Sequence, residues 1–121
     1  MKRGDIVTVS TKGLAANPRP GVIVQASHLI RDDHPVLVCP LTRHLVEGSL
    51  ICPTIQPTPA DGLRSPSQVM VDRLSVTMPN TIGEIIGDLD DADMRSVDLA
   101  PLTIMSLGQV LMKTPKTGDT P

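Results

Sequence analysis

Two short apolar runs, Val22 to Val24 and Val36 to Val38, constrain the fold of this chain more than any other feature. Both are rich in β-branched residues, whose stiff side chains suit a pleated strand better than a helix. Turn residues bound them: Pro18, Pro20 and Gly21 lead into the first, and Pro40 closes the second. Each run also carries one polar group where it meets a loop, Arg19 before the first and Thr42 after the second. Consecutive strands with a short connection usually pair antiparallel, which sets the start of one beside the end of the next. Arg19 and Thr42 are therefore expected at the same edge of one sheet.

The rest of the chain repeats this pattern of short strands and turn signals. Gly4 to Ser10 alternates loosely enough for a strand with one buried face, and 11–18 is loop. The second strand is expected at about Gly21 to Ser27, since Pro20 cannot donate to a ladder and suits a strand's first residue. After a polar connection, the third runs Val36 to Leu41, with Pro40 marking an edge, a bulge or the strand's end. Ser49 to Ile55 reads as a fourth strand, and Gln56 to Pro66, rich in Pro, Gly and Ser, as a surface loop of functional length. In Gln68 to Arg73, Val69 and Val71 share one face and Gln68, Met70 and Asp72 the other. Ser75 to Thr81 is a short strand and turn. Ile82 to Gly87 fits strand or helix by period, and its two glycines disfavour the helix. Asp90 to Asp93 has the composition of a helix start, followed by an apolar stripe of Met94, Val97 and Leu102 or Met105. Pro101 should kink or break that helix, because a mid-helix proline costs about 3 kcal/mol or more. These signals give one domain over residues 1–112, mainly β with a C-terminal helix, and a disordered polar tail over 113–121.

Composition narrows the function. The chain has no Phe, Tyr or Trp, so its core must be built from Leu, Ile, Val and Met, and no aromatic platform exists for stacking bases. A net charge of −2 argues against a general nucleic-acid binder. The charge is uneven, however: residues 1–75 hold eight Lys or Arg against six Asp or Glu, and 76–121 hold three against seven, so the first part can still present a basic surface. Cys39 and Cys52 lie in apolar runs without the spacing of a zinc site and are expected to be reduced, buried hydrophobes. Neither a membrane span nor a secretory leader is legible, which makes the cytoplasm the expected compartment.

Met-Lys-Arg-Gly-Asp-Ile-Val, then Arg-Pro-Gly-Val-Ile-Val, Val-Cys-Pro-Leu-Thr, Gln-Val-Met-Val-Asp-Arg-Leu and Ile-Gly-Glu-Ile-Ile-Gly resemble, over about Met1 to Leu107, the MazF/PemK toxins of bacterial toxin-antitoxin pairs. The resemblance implies the small SH3-like barrel shared by the MazF/PemK and CcdB toxins. It implies a homodimer held inactive by a cognate antitoxin, and metal-independent, cofactor-free cleavage of single-stranded RNA by the ribose 2′-hydroxyl. Arg19 and Thr42 match the arginine and threonine that line the site in such toxins.

Read as chemistry, Arg19 offers a permanently charged, planar set of donors to a phosphate that gains charge in its transition state, and Thr42 a neutral one. The group that takes the 2′ proton is left open between His44, two residues past Thr42, and Asp72. Some PemK-type relatives use a histidine in the first loop together with Arg-x-Asp in a later strand; here that loop has no histidine and the later strand reads Met70-Val71-Asp72. Lys12, Arg43, Arg64 and Arg73 are candidate contacts to RNA phosphates. Two other readings stand beside the nuclease. One is a catalytically silent RNA-binding relative. The other is a DNA gyrase poison like CcdB, which acts through a Trp-Gly-Ile terminus, whereas this sequence has no tryptophan.

Overall fold

The computed structural model describes residues 1–10 and 18–112, and the side chains as far as Val110. The expectations for Lys12, the side chain of Leu111 and the 113–121 tail lie outside the described residues. Seven strands form the chain's frame: β1 Asp5–Val9, β2 Arg19–Ile23, β3 Val36–Thr42, β4 Thr54–Ile55, β5 Ser67–Val69, β6 Ser75–Thr77 and β7 Ile82–Asp88. Helix α1 (Asp91–Ile104) and a short α2 (Gly108–Met112) follow. The strand order is β4-β5-β3-β2-β1-β7, with β6 also paired to β3, so β4 and β7 are the two ends of a sheet that does not close. The architecture is the expected mainly β fold with a C-terminal helix, as an open version of the barrel.

Alternation along three central strands divides their side chains between two clusters. Ile6, Val22, Cys39 and Leu41 pack with Ile55, Val69 and Val71 and with Met94, Val97 and Ala100 of α1. Val7, Ile23, Val36 and Val38 form the second cluster with Val9, Ile30 and Ile82. Neighbouring residues in a strand point to opposite faces, so both faces of β1 are buried, not the single face expected. Without aromatic rings, compactness comes from close backbone approach. A Cβ on Gly21 would lie 2.6 Å from Val38 Cγ1, so this β2 position admits no larger residue unless the Val38 side chain shifts.

The structure corrects several expectations. Pro40 lies inside β3, a central strand, but at the point where β3 changes partners: β6 pairs with Val36 to Val38, and β5 with Leu41 and Thr42. The missing N–H falls in the gap between two ladders, and the Pro40 carbonyl still accepts the Met70 N–H at 2.8 Å. β2 begins at Arg19, because its ladder with β1 reaches Val9↔Arg19. The fourth strand is only Thr54 and Ile55; the Ser49 hydroxyl accepts the Cys52 N–H at 3.0 Å and holds the preceding residues in a turn. The strand at Gln68 ends at Val69 and passes through a single 3₁₀ turn at Val71–Arg73. Helix α1 runs through Pro101 and ends three residues later. Pro101 lies in the last turn, where it removes one bond near an end that has few left to lose, while the burial of Val97 and Ala100 holds the helix to the sheet. The helix stripe is Met94, Val97 and Ala100; Leu102 is half-buried and Met105 exposed. The expected cap is present, with the Asp90 carboxylate accepting the Asp93 N–H at 2.8 Å.

Candidate active site

Arg19 opens β2 and Thr42 closes β3. The two strands pair Gly21↔Pro40, Val22↔Cys39 and Ile23↔Val38. Continued by two residues, that register sets Arg19 opposite Thr42. Both line one cleft of about 710 Å³ together with Arg43 and Arg64. Among the described residues no carboxylate lines it and none of these three arginines is in an ion pair. Three free guanidiniums around one cleft make a local anion-binding field that the acidic net charge of the chain conceals.

Arg64 reaches the cleft because the loop before it is built around a buried carboxylate. Asp61 is 1% exposed. Its oxygens accept the Thr58 N–H at 3.1 Å and the Leu63 N–H at 2.9 Å, and its own N–H donates to the Thr58 hydroxyl at 3.2 Å. This reciprocal pairing is that of a capping box, and the Thr58-x-x-Asp61 spacing was the available signal for a residue that sequence reasoning passed over. The loop also lies flat on β7. A Cβ at Gly62, whose φ is +70°, would run into the Ile86 carbonyl, and one at Gly87 into the Ala60 and Asp61 backbone.

A second pocket, of about 380 Å³, adjoins the first and shares Thr42 with it. His44, Gln68, Met70, Asp72 and Arg73 line it. The expected grouping of Gln68, Met70 and Asp72 on one face thus holds, with Val69 and Val71 turned into the core, even though the strand stops at Val69. Gln68 is buried and anchors the pocket's outer loop: its amide oxygen accepts the Val46 N–H at 3.0 Å, and its amide nitrogen donates to Val46 O at 2.8 Å and to Thr54 Oγ1 at 3.1 Å. The Cys52 thiol donates to Asp72 Oδ1 at 3.3 Å. Burial first, and then that carboxylate, raises the Cys52 pKa; burial, followed by the Asp72 and Cys52 charges, pushes Cys39 up to about 11. Both thiols are free, Cys39 buried as expected and Cys52 half-buried.

The structure therefore divides the residues singled out in the sequence. Arg19, Thr42, Arg43 and Arg64 come together; His44, Asp72 and Arg73 lie on the far side of Thr42. The His44 backbone N–H donates to Thr42 Oγ1 at 3.1 Å, which occupies an acceptor site of the hydroxyl and leaves its proton free to donate. His44 is the one histidine lining either cavity among the described residues; His34 instead sits 2.7 Å from the Asp33 carboxylate on the surface. Among the described residues no group of three or more His, Cys, Asp or Glu could hold a metal ion, and no helix is long and apolar enough to cross a membrane.

Residues 2–103 match the family of PemK-like, MazF-like toxins of type II toxin-antitoxin systems. The chain is 32% identical over 108 residues to a probable endoribonuclease MazF of Mycolicibacterium smegmatis, covering 88% of this chain and 98% of that protein. Its fold is similar to that of a mycobacterial endoribonuclease in complex with its cognate antitoxin, with TM-score 0.71 and 20% identity over 88% of this chain and 96% of that one. It is likewise similar to the Mycobacterium tuberculosis toxin MazF-mt6, with TM-score 0.71 and 20% identity over 84% and 96% of the two chains. MazF from Deinococcus radiodurans gives TM-score 0.67 at 15% identity, over 88% and 96%.

Proposed function

The chain belongs to the PemK-like, MazF-like toxins of type II toxin-antitoxin systems, and from that we propose that it is an endoribonuclease acting on single-stranded RNA at the cleft between β2 and β3. The observation that carries this reading is the register that sets Arg19 opposite Thr42 in a cleft lined by three arginines and no acid. In the proposed reaction the ribose 2′-oxygen attacks the adjacent phosphorus, the bond to the 5′-oxygen breaks, and a 2′,3′-cyclic phosphate and a 5′-hydroxyl result. The nucleophile comes from the substrate itself. Arg19 stabilises the charge that grows on the non-bridging oxygens, and the Thr42 hydroxyl supplies a second, neutral donor. Arg43 and Arg64 hold the flanking phosphates. His44 accepts the 2′ proton, since it is the imidazole whose pocket shares Thr42, and the departing 5′-oxygen takes its proton from solvent. The family match favours this reading over a gyrase poison.

Two partners follow from the same reading. Ile104, Met105 and Val110 leave 39%, 60% and 74% of their surface exposed at the end of α1 and on α2, an apolar surface that a twofold dimer would cover. An antitoxin with an acidic segment would pair with Arg19, Arg43 and Arg64 and exclude RNA phosphate, so its inhibition should weaken with salt.

The test is cleavage of single-stranded RNA by the purified protein in EDTA. Arg19→Ala should lose roughly 10²- to 10³-fold in rate while remaining folded, as removal of a single transition-state donor typically does. Thr42→Val should lose less, and His44→Gln should slow cleavage while leaving RNA binding in place. A folded Arg19→Ala cutting at the wild-type rate would refute the site.

A further inference from the structure

The pocket beyond Thr42 contains chemistry that breaking a phosphodiester does not use. Val46, Ile51 and Met70 give it apolar walls, while Asp72 and Arg73 bring opposite charges to it. At about 380 Å³ it lies near the lower end of the roughly 300–1,000 Å³ typical of ligand pockets, a size for one ring system and not for an extended chain. The gripping surface is aliphatic and thioether, since the chain has no aromatic ring on which a base could stack. A base held there must be distinguished by hydrogen bonds to its edge.

Asp72 sets which edge fits. An ionised carboxylate only accepts, and it has about four lone-pair sites. The Cys52 thiol occupies one on Oδ1 and orients the group, leaving Oδ2 and the rest of Oδ1 for a ligand. Among the described residues Asp72 has no ion-pair partner. Guanine presents two adjacent donors, N1–H and the 2-amino group, that meet the two oxygens of a carboxylate. Adenine and cytosine place a ring acceptor beside their amino group, and uracil flanks its single N–H with two carbonyls, so each would turn lone pairs toward the carboxylate. Arg73, next along the chain, can donate to guanine O6 beside N1.

We propose that this pocket is a guanine subsite for a nucleotide next to the scissile phosphate, read by Asp72 and assisted by Arg73. Thr42 belongs to both cavities, so a nucleotide whose phosphate lies against Arg19 and Thr42 has its base within reach of the pocket. The inference rests on the endoribonuclease reading and gives Asp72 the task of recognition, leaving proton transfer to His44.

The test separates binding from cleavage. Uncleavable 2′-fluoro oligouridylates carrying a single guanine, hypoxanthine, adenine or cytosine are titrated against the protein in EDTA at fixed salt, by fluorescence anisotropy. Guanine should bind roughly 5- to 150-fold more tightly than adenine or cytosine, the range of a bidentate base contact. Hypoxanthine, which lacks the 2-amino group, should fall between them. Asp72→Asn, at an exposed turn position, should keep the wild-type melting temperature and abolish the preference. Equal binding of all four oligonucleotides, or a preference that survives Asp72→Asn, would overturn the subsite. So would an Asp72→Asn variant that loses affinity for its antitoxin while keeping the base preference, which would assign the pocket to the protein partner. The cleavable ribo-versions distinguish the two readings. An Asp72-dependent guanine preference in binding without cleavage would sink the nuclease and leave the subsite, whereas cleavage at all four bases alike would do the reverse.

Discussion

Asp61→Ala is the substitution for which the structure gives the sharpest expectation. Asp61 touches no part of the cleft itself, yet its carboxylate accepts two backbone N–H groups, from Thr58 and Leu63, at 2.9 to 3.1 Å. Hydrogen bonds to a charged group contribute about 1.5–3 kcal/mol each. Both bonds are only partly buried, and water can recover some of what the alanine loses, so the low end applies: about 3 kcal/mol of destabilisation in total. Against a typical stability of about 5–15 kcal/mol the protein should remain folded. Asp61→Asn keeps one acceptor oxygen and should lose about half as much. Because the same loop delivers Arg64 to the cleft and rests on β7 through Gly62 and Gly87, RNA cleavage should fall in step with stability. Urea unfolding at a fixed protomer concentration measures the first effect, and amide exchange at Thr58 and Leu63 shows whether the loss is local. An Asp61→Ala protein within about 0.5 kcal/mol of wild type, the range of neutral surface changes, would refute the claim that this carboxylate organises the loop.

Arg43→Ala and Arg64→Ala should each lower the slope of log affinity against log salt for single-stranded RNA by about 0.7, the contribution of one released counterion; an unchanged slope would remove that residue from phosphate contact. Cys39, with its pKa pushed from 9.0 up to about 11, keeps in the folded state a proton that the unfolded chain releases above pH 9. The folded state then binds more protons than the unfolded one, so stability should be level below pH 9 on this account and fall between 9 and about 11. Cys39→Ala should flatten that part of the melting temperature profile relative to wild type, and an identical slope in both proteins would count against the assignment.

What the sequence determined by itself was what short-range chemistry encodes. β-Branched runs bounded by proline place β2 and β3, an Asx cap starts α1, and a period of two puts Gln68, Met70 and Asp72 on one side with Val69 and Val71 on the other. The antiparallel pairing of β2 with β3, which brings Arg19 and Thr42 to one cleft, was legible for the same reason, since the strands are consecutive. Tertiary structure decided the rest. That β3 exchanges β6 for β5 at Pro40, and so tolerates a proline in the middle of the sheet, depends on strands some 30 residues away. Pro101 is accommodated because Val97 and Ala100 are buried against the sheet, which no helical propensity records. The division of the candidate site also lies beyond local pattern. Arg64 joins Arg19 only because Asp61 folds its loop onto β7, and His44 and Asp72 share the pocket beyond Thr42 because a loop held by Gln68 and a turn after β5 enclose the same space. Spacing along a chain fixes which way a side chain points, but which cavity it enters is set by the elements packed opposite it, and these are distant in sequence.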